Sequence, residues 1–129
     1  MIGDRLDTDI EAAYNTGTDS LLVLTGVDNP RTATLAPSHR RPTYIAETLD
    51  ALLRPYPDVS AAGSGVTCGG WTAQEDPAGT LALAGHGAAI DGLRALTTAA
   101  WAVRDQRGSL DAGQVSAALD TLAAAGLRI

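Results

Sequence analysis

The opening residues, Met1-Ile2-Gly3-Asp4-Arg5-Leu6-Asp7-Thr8-Asp9-Ile10-Glu11, constrain the fold more than any other stretch. An apolar stub runs into a glycine and then an acid. That order fits a buried strand ending at the carboxyl rim of an α/β sheet, where such sheets place their ligands. Four acids, Asp4, Asp7, Asp9 and Glu11, fall within eight positions. Thr8 and Glu11 have the spacing of a capping box, which predicts a helix starting at Asp9. Asp4 then sits in the loop above the strand, and Asp4 and Asp9 lean over one spot near the positive end of that helix. Hard carboxylate oxygens beside a helix N-terminus suit Mg²⁺ with a phosphate held between them. The helix dipole alone accounts for Asp7 and Glu11, whereas Asp4 precedes the cap and has no helix to stabilise. A calcium loop counted from Asp7 fails, because Ala12 would stand at the turn glycine and Thr18 at the bidentate acid.

Gly3-Asp4-Arg5-Leu6-Asp7-Thr8-Asp9 resembles the fourth motif, Gly-Asp-x-x-x-Thr-Asp, of haloacid dehalogenase (HAD) superfamily phosphatases. The closest resemblance is to subclass IIA, the branch of p-nitrophenyl phosphatase, phosphoglycolate phosphatase and glycerol-3-phosphate phosphatase. Gly17-Thr18-Asp19-Ser20-Leu21-Leu22-Val23-Leu24-Thr25-Gly26-Val27 and Arg41-Pro42-Thr43-Tyr44-Ile45 continue it over about the first 50 residues. The resemblance implies a Mg²⁺-dependent phosphatase with an aspartyl-phosphate intermediate, in which Asp4 binds the metal and Asp9 supports that ligand or its waters. It also implies a nucleophilic Asp, a capping domain and a lysine upstream of the fourth motif. This sequence holds none of these, and its nine cations are all arginine. Covalent phosphoryl transfer needs a placed nucleophile, so no catalytic residue is assigned. The chain is expected to be the C-terminal part of such an enzyme and inactive alone.

At 129 residues the chain can bury a modest core, built from Ala, Leu, Val and Ile because Phe is absent. A net charge of −6 and scattered arginines argue against nucleic acid. A single cysteine, Cys68, excludes an internal disulfide. No signal peptide is readable and no apolar run reaches the ~20 residues of a membrane span, so a cytoplasmic protein with no membrane partner is expected.

The fold class expected is α/β: a partial Rossmann-like HAD core with a truncated parallel sheet, then a small α+β domain of ββαα order. Helix Asp9–Thr16, stopped by Gly17, and a doubly buried strand from Leu21 to Thr25 make a βαβ unit with the first strand. Val27 to Arg41 reads as loop, with His39 an exposed polar residue beside arginines and no catalytic role for Asp28 or Asn29. A short strand, Thr43–Ile45, precedes a helix from Thr48 to Leu53 with Leu49, Leu52 and Leu53 inward. The prolines at 55 and 57 mark a linker, giving domains 1–54 and 64–129 with 55–63 between them.

The second half reads as a hairpin of strands 66–72 and 80–84, then helix 88–106 ended by Gly108. A last helix follows, capped by Asp111 and Gln114 and stopped at Gly126-Leu127. This tail looks like the acetyltransferase-like extension of some actinobacterial relatives. Gly63-Ser64-Gly65 precedes a strand and Gly85-His86-Gly87 lacks the leading Arg/Gln of a pyrophosphate turn, so acetyl transfer is not expected. Ser64 lacks a nucleophile elbow, Cys68 reads as a small buried strand residue, and His86 as a turn residue. Trp71 and Trp101 read as core fillers of this half, in reach of each other. The alternative to a phosphatase part is a non-catalytic subunit or interaction module that keeps a relic of the motif. The partners expected are a small phosphorylated metabolite and an upstream HAD-core chain, with the choice of substrate left to the capping domain. The first half is expected to be the less stable.

Overall fold

The computed structural model describes residues 1–63 and 65–129; Ser64, and the expectation placed on it, lie outside the described residues. Strand β1 (Ile2–Gly3) leads into a π-helical turn, Leu6–Ile10, that continues as helix α1 (Glu11–Thr16). Strands β2 (Leu21–Val23) and β3 (Tyr44–Ala46) complete a parallel sheet of order β1-β2-β3. All of β2 is buried, as expected of a strand covered on both faces. Leu22 packs with Leu6, Ile10, Ala33 and Ala36 on one side, while Leu21, Val23 and Ala46 form a smaller cluster on the other. Gly17 takes the left-handed conformation that ends α1, with Thr18 N–H donating to Ala13 O and Gly17 N–H to Tyr14 O.

The helix start differs from the expectation. It lies at Leu6 rather than Asp9, because Leu6 and Ile10, four apart, both drop into the core. The Glu11 amide already donates to Leu6 O, so it is not free for Thr8, and no capping box forms. Asp28 does that work from a distance: its Oδ2 accepts the Leu6 N–H at 2.6 Å, satisfying one of the orphan donors of the first turn. The expected loop 27–41 contains helix α2 (Pro30–Thr34) and a 3₁₀ turn, Ser38–Arg40. Asn29 caps α2 through a capping box with Thr32, and Pro30 holds the first helical position. The segment Leu49–Leu53 is a 3₁₀ turn whose leucines face outward: Leu49 is 55%, Leu52 61% and Leu53 86% exposed. Ala51, not a leucine, packs beneath the sheet.

The second half is a four-stranded antiparallel sheet, β4 (Val59–Ala62), β5 (Gly65–Cys68), β6 (Gly70–Glu75) and β7 (Leu81–His86), in sequential order. Two corrections arise here. Residues 66–72 are two strands and not one, turned at Gly69 (φ +56°) so that Cys68 faces Trp71 across the hairpin. The segment expected as linker contributes β4, whose four residues pair with β5. Helix α3 (Ala89–Arg107) covers the sheet and ends at Gly108, and helix α4 (Ser116–Ala124) packs beside it. The Asp111–Gln114 capping box is present, as is the stop at Gly126, where Leu127 N–H reaches Leu122 O and Gly126 N–H reaches Ala123 O. Among the described residues no helix is long and apolar enough to cross a membrane.

The two tryptophans belong to one cluster, Trp71 buried in it and Trp101 packed against it, but on opposite sides of α3. Trp71 stacks under Gly92 on the sheet side of α3. Trp101 lies nine residues further along that helix, half a turn round, and donates its Nε1–H to Ala33 O of α2 at 3.0 Å. Helix α3 is therefore the element shared by both halves. Its buried Arg94 donates twice to Ile45 O, at 3.1 and 2.9 Å, and stacks on Tyr56 with its guanidinium carbon 4.2 Å from the ring centre.

Candidate metal-binding site

The site is built where β1 and β2 end. Gly3 is the last residue of β1, and Asp4 follows it directly. A side chain at Gly3 would overlap the Asp9 carboxylate, and one at Gly26, in the loop leaving β2, would overlap that of Asp4. Both acids thus sit in glycine cradles at the carboxyl ends of adjacent parallel strands, half-buried. The other acids of the segment are engaged elsewhere. Asp7 takes a two-point contact from Arg5, Nε and Nη2 each at 3.1 Å, which holds its carboxyl below the usual range. Glu11 accepts from Arg40 Nε at 2.9 Å and lies 3.4 Å from His39. His39 is the exposed loop residue that was expected, with Glu11 as its neighbour.

Asp28 is the residue that reading the sequence missed. Besides capping Leu6, its own N–H donates to Asp4 O at 3.2 Å. It therefore bridges both ends of Asp4-Arg5-Leu6. The signal available was weak: an acid before Asn29-Pro30, a helix-start pattern that the reading of 27–41 as loop passed over. A shallow groove of about 400 Å³ opens beside this loop, lined by Arg5, Asp28, Arg31 and Arg40 with Leu6 and Leu35.

Among the described residues, no group of three or more His, Cys, Asp or Glu converges as a metal site. Two carboxylates nevertheless fit Mg²⁺, which is commonly held by one or two acids with waters and substrate phosphate in the remaining positions. Cys68 is buried on β5 and its thiol faces the Asp91 carboxylate at 3.8 Å; burial first, and then that charge, push it up to about 11. It is an inert strand residue, as expected. His86 closes β7 in the glycine-flanked turn before α3, exposed.

A parallel βαβ unit with acids at the strand ends, joined to a sheet crossed by a long helix, defines a composite protein. Residues 1–52 match the HAD-hydrolase-like family, and residues 68–127 match the GCN5-related N-acetyltransferase-like domain. The chain is thus similar over its first 52 residues to a HAD-like hydrolase and over residues 68–127 to an acetyltransferase-like domain.

Glycerol phosphate phosphatases are among the proteins it is similar to. The D-glycerol 3-phosphate phosphatase of Mycobacterium tuberculosis is 54% identical over 52 residues, 40% of this chain and 15% of that protein. A crystal structure of glycerol phosphate phosphatase from the same organism, in complex with magnesium, is 33% identical with a TM-score of 0.53, covering 78% of this chain and 29% of the other. The calcium complex is 31% identical with a TM-score of 0.53 and covers 99% of this chain and 38% of the other, so that alignment spans both halves. The chain thus spans about 15% of the curated relative it matches.

Proposed function

We propose that this chain supplies the Mg²⁺-binding acids of a HAD-type phosphatase acting on a small phosphomonoester, a polyol, sugar or glycolate phosphate. The observation that carries the reading is the pair of carboxylates, Asp4 and Asp9, each seated on a glycine at the end of the parallel sheet. It is supported by 54% identity to a glycerol 3-phosphate phosphatase across this segment and by the magnesium in the related crystal structure. Asp4 is the direct ligand. Asp9, held over Gly3, fixes the loop and the waters beside it, as outer residues do at metal sites. Bound Mg²⁺ supplies charge neutralisation and orientation of the phosphoryl oxygens. The domain division proposed is 1–54 for the hydrolase segment and 64–129 for the accessory domain, with β4 of the intervening 55–63 added to the latter's sheet.

Among the described residues none is placed as a nucleophile, and the sequence has no lysine. We infer that both functions come from a HAD core outside these residues, whether upstream in the same protein or on another chain. Mg²⁺-dependent hydrolysis of glycerol 3-phosphate and p-nitrophenyl phosphate tests this. The chain alone should show no turnover above background, and co-expression with an upstream core that carries an Asp nucleophile should restore it, except in Asp4→Asn. Turnover by the isolated chain would refute the proposal.

A second reading, a non-catalytic interaction module, is favoured by the outward Leu49, Leu52 and Leu53, an apolar cluster of the kind that marks contact surfaces. It predicts no turnover even with the upstream core present.

A further inference from the structure

We propose that helix α3 of the acetyltransferase-like half is a strut for the acid-bearing loop of the hydrolase half, acting through α2, with Asp28 the positioning residue at its far end. The metal role of the loop rests on the function proposed above; the strut itself does not. Helix α2 has five residues, too few to be stable in water on its own. Carbonyls past the last turn of a helix need partners; Ala33 O takes the Ala36 N–H at 3.2 Å. Donors from α3 add to it: Trp101 Nε1 on Ala33 O at 3.0 Å and Arg104 Nη1 on Leu35 O at 2.6 Å. Arg41, beyond the 3₁₀ turn that follows α2, is clamped to Asp105 of α3 by two 2.9 Å bonds.

Thus the C-terminal end of α2 is held by α3, and its N-terminal end begins at Asn29, the residue after Asp28. Asp28 accepts from Leu6 N and donates to Asp4 O. The route from the second half to Asp4 is continuous: α3, α2, Asp28, loop. Each link is a hydrogen bond or a peptide bond. Nothing else among the described residues bonds the loop backbone on both sides of Arg5. The accessory domain has, on this account, a mechanical role that needs no acetyl group and no coenzyme.

Contiguity alone does not establish coupling, so the test measures it. Amide hydrogen exchange of Leu6, the proton donated to Asp28, is followed by NMR in the full chain without metal. Asp28→Ala should remove the protection of Leu6. Trp101→Phe with Arg104→Met, which delete two donors and keep most of the bulk, should speed Leu6 exchange roughly three- to tenfold, with Ala73 of β6 unchanged. Arg107→Met removes a neighbouring cation of α3 that pairs with Glu75 instead, and should leave Leu6 as it was. If the double variant is too unstable to assign, Trp101→Phe alone should give a smaller change in the same direction.

The strut is overturned if Leu6 exchange is unaffected while Ala33 and Leu35 loosen, or if Arg107→Met has an equal effect. In parallel, Mn²⁺ titrated as a Mg²⁺ probe should bind several-fold more weakly to the double variant and to Asp28→Ala, and lose its site in Asp4→Asn. Unchanged Mn²⁺ binding in Asp4→Asn would refute the metal reading and leave the exchange result to decide the strut.

Discussion

Two glycines decide what the acidic loop can hold. Gly3 and Gly26 are needed for space, since a methyl group at either would occupy the place of a carboxylate. The acids of the motif are legible in the sequence, but these seats are not, because the one at Gly26 lies 22 residues from the acid it receives. Cys68 shows the same dependence on remote groups. The raised thiol value comes from burial and from Asp91 on α3, neither of which is local. The native thiol should alkylate far more slowly at pH 8 than the thiol of the urea-unfolded chain, and equal rates would show an open site. With a folded value of about 11 above the ordinary 9.0, the protonated thiol belongs to the folded state. Its stabilising contribution is intact below the unfolded value and is lost as pH rises through the folded one. Urea midpoints between pH 8 and pH 11 should fall accordingly, and Cys68→Ser should flatten that fall.

At the level of elements, what could be read depended on how local the cause was. Helix ends set by their own neighbours were legible: Gly17, Gly108, the Asp111–Gln114 box and the Gly126 stop all lie where the pattern puts them. Those set by distant partners were not. The first helix starts early because Leu6 finds a core pocket and Asp28 a free amide. Strand β4 hides behind two prolines, and only its pairing with β5 makes it a strand. Leu49, Leu52 and Leu53 have helical spacing, yet they turn outward because Ala51 occupies the face beneath the sheet. Packing on the sheet side of α3 is tight at Gly92, where an added Cβ would stand 2.6 Å from Leu122 Cδ2 and 3.0 Å from the Trp71 ring. Gly to Ala within a helix ordinarily gains about 1 kcal/mol, whereas overpacking a core costs about 1–3 kcal/mol. Gly92→Ala should therefore lose roughly 1 kcal/mol net. Urea denaturation checks this, and a gain in stability would show the contact to be loose.

Over the whole molecule, the halves that composition separates share one interior. Ile45 of β3 lies in the same buried cluster as Trp71, Leu93 and Leu119, with Leu24 and Leu35 packed against it. This argues against the lower stability expected of the first half. Trp71→Phe leaves Trp101 to report on the seam, and Trp101→Phe leaves Trp71 to report on the sheet. Their urea transitions, each referred to the circular dichroism of the same variant, should coincide as in a two-state domain. Fluorescence from Trp101 that changes well before the dichroism would mean that the seam opens first.

Helix α3 also carries a constraint on length. Gly92 looks toward the antiparallel sheet, whereas Arg94 and Trp101, seven residues apart and nearly in line, look toward β3 and α2. Inserting or deleting one residue between Gly92 and Arg94 rotates one docking face by about 100° relative to the other. Descendants of this chain can thus vary freely in the loops around α3, while the phase between its two faces stays locked for as long as one helix serves both halves.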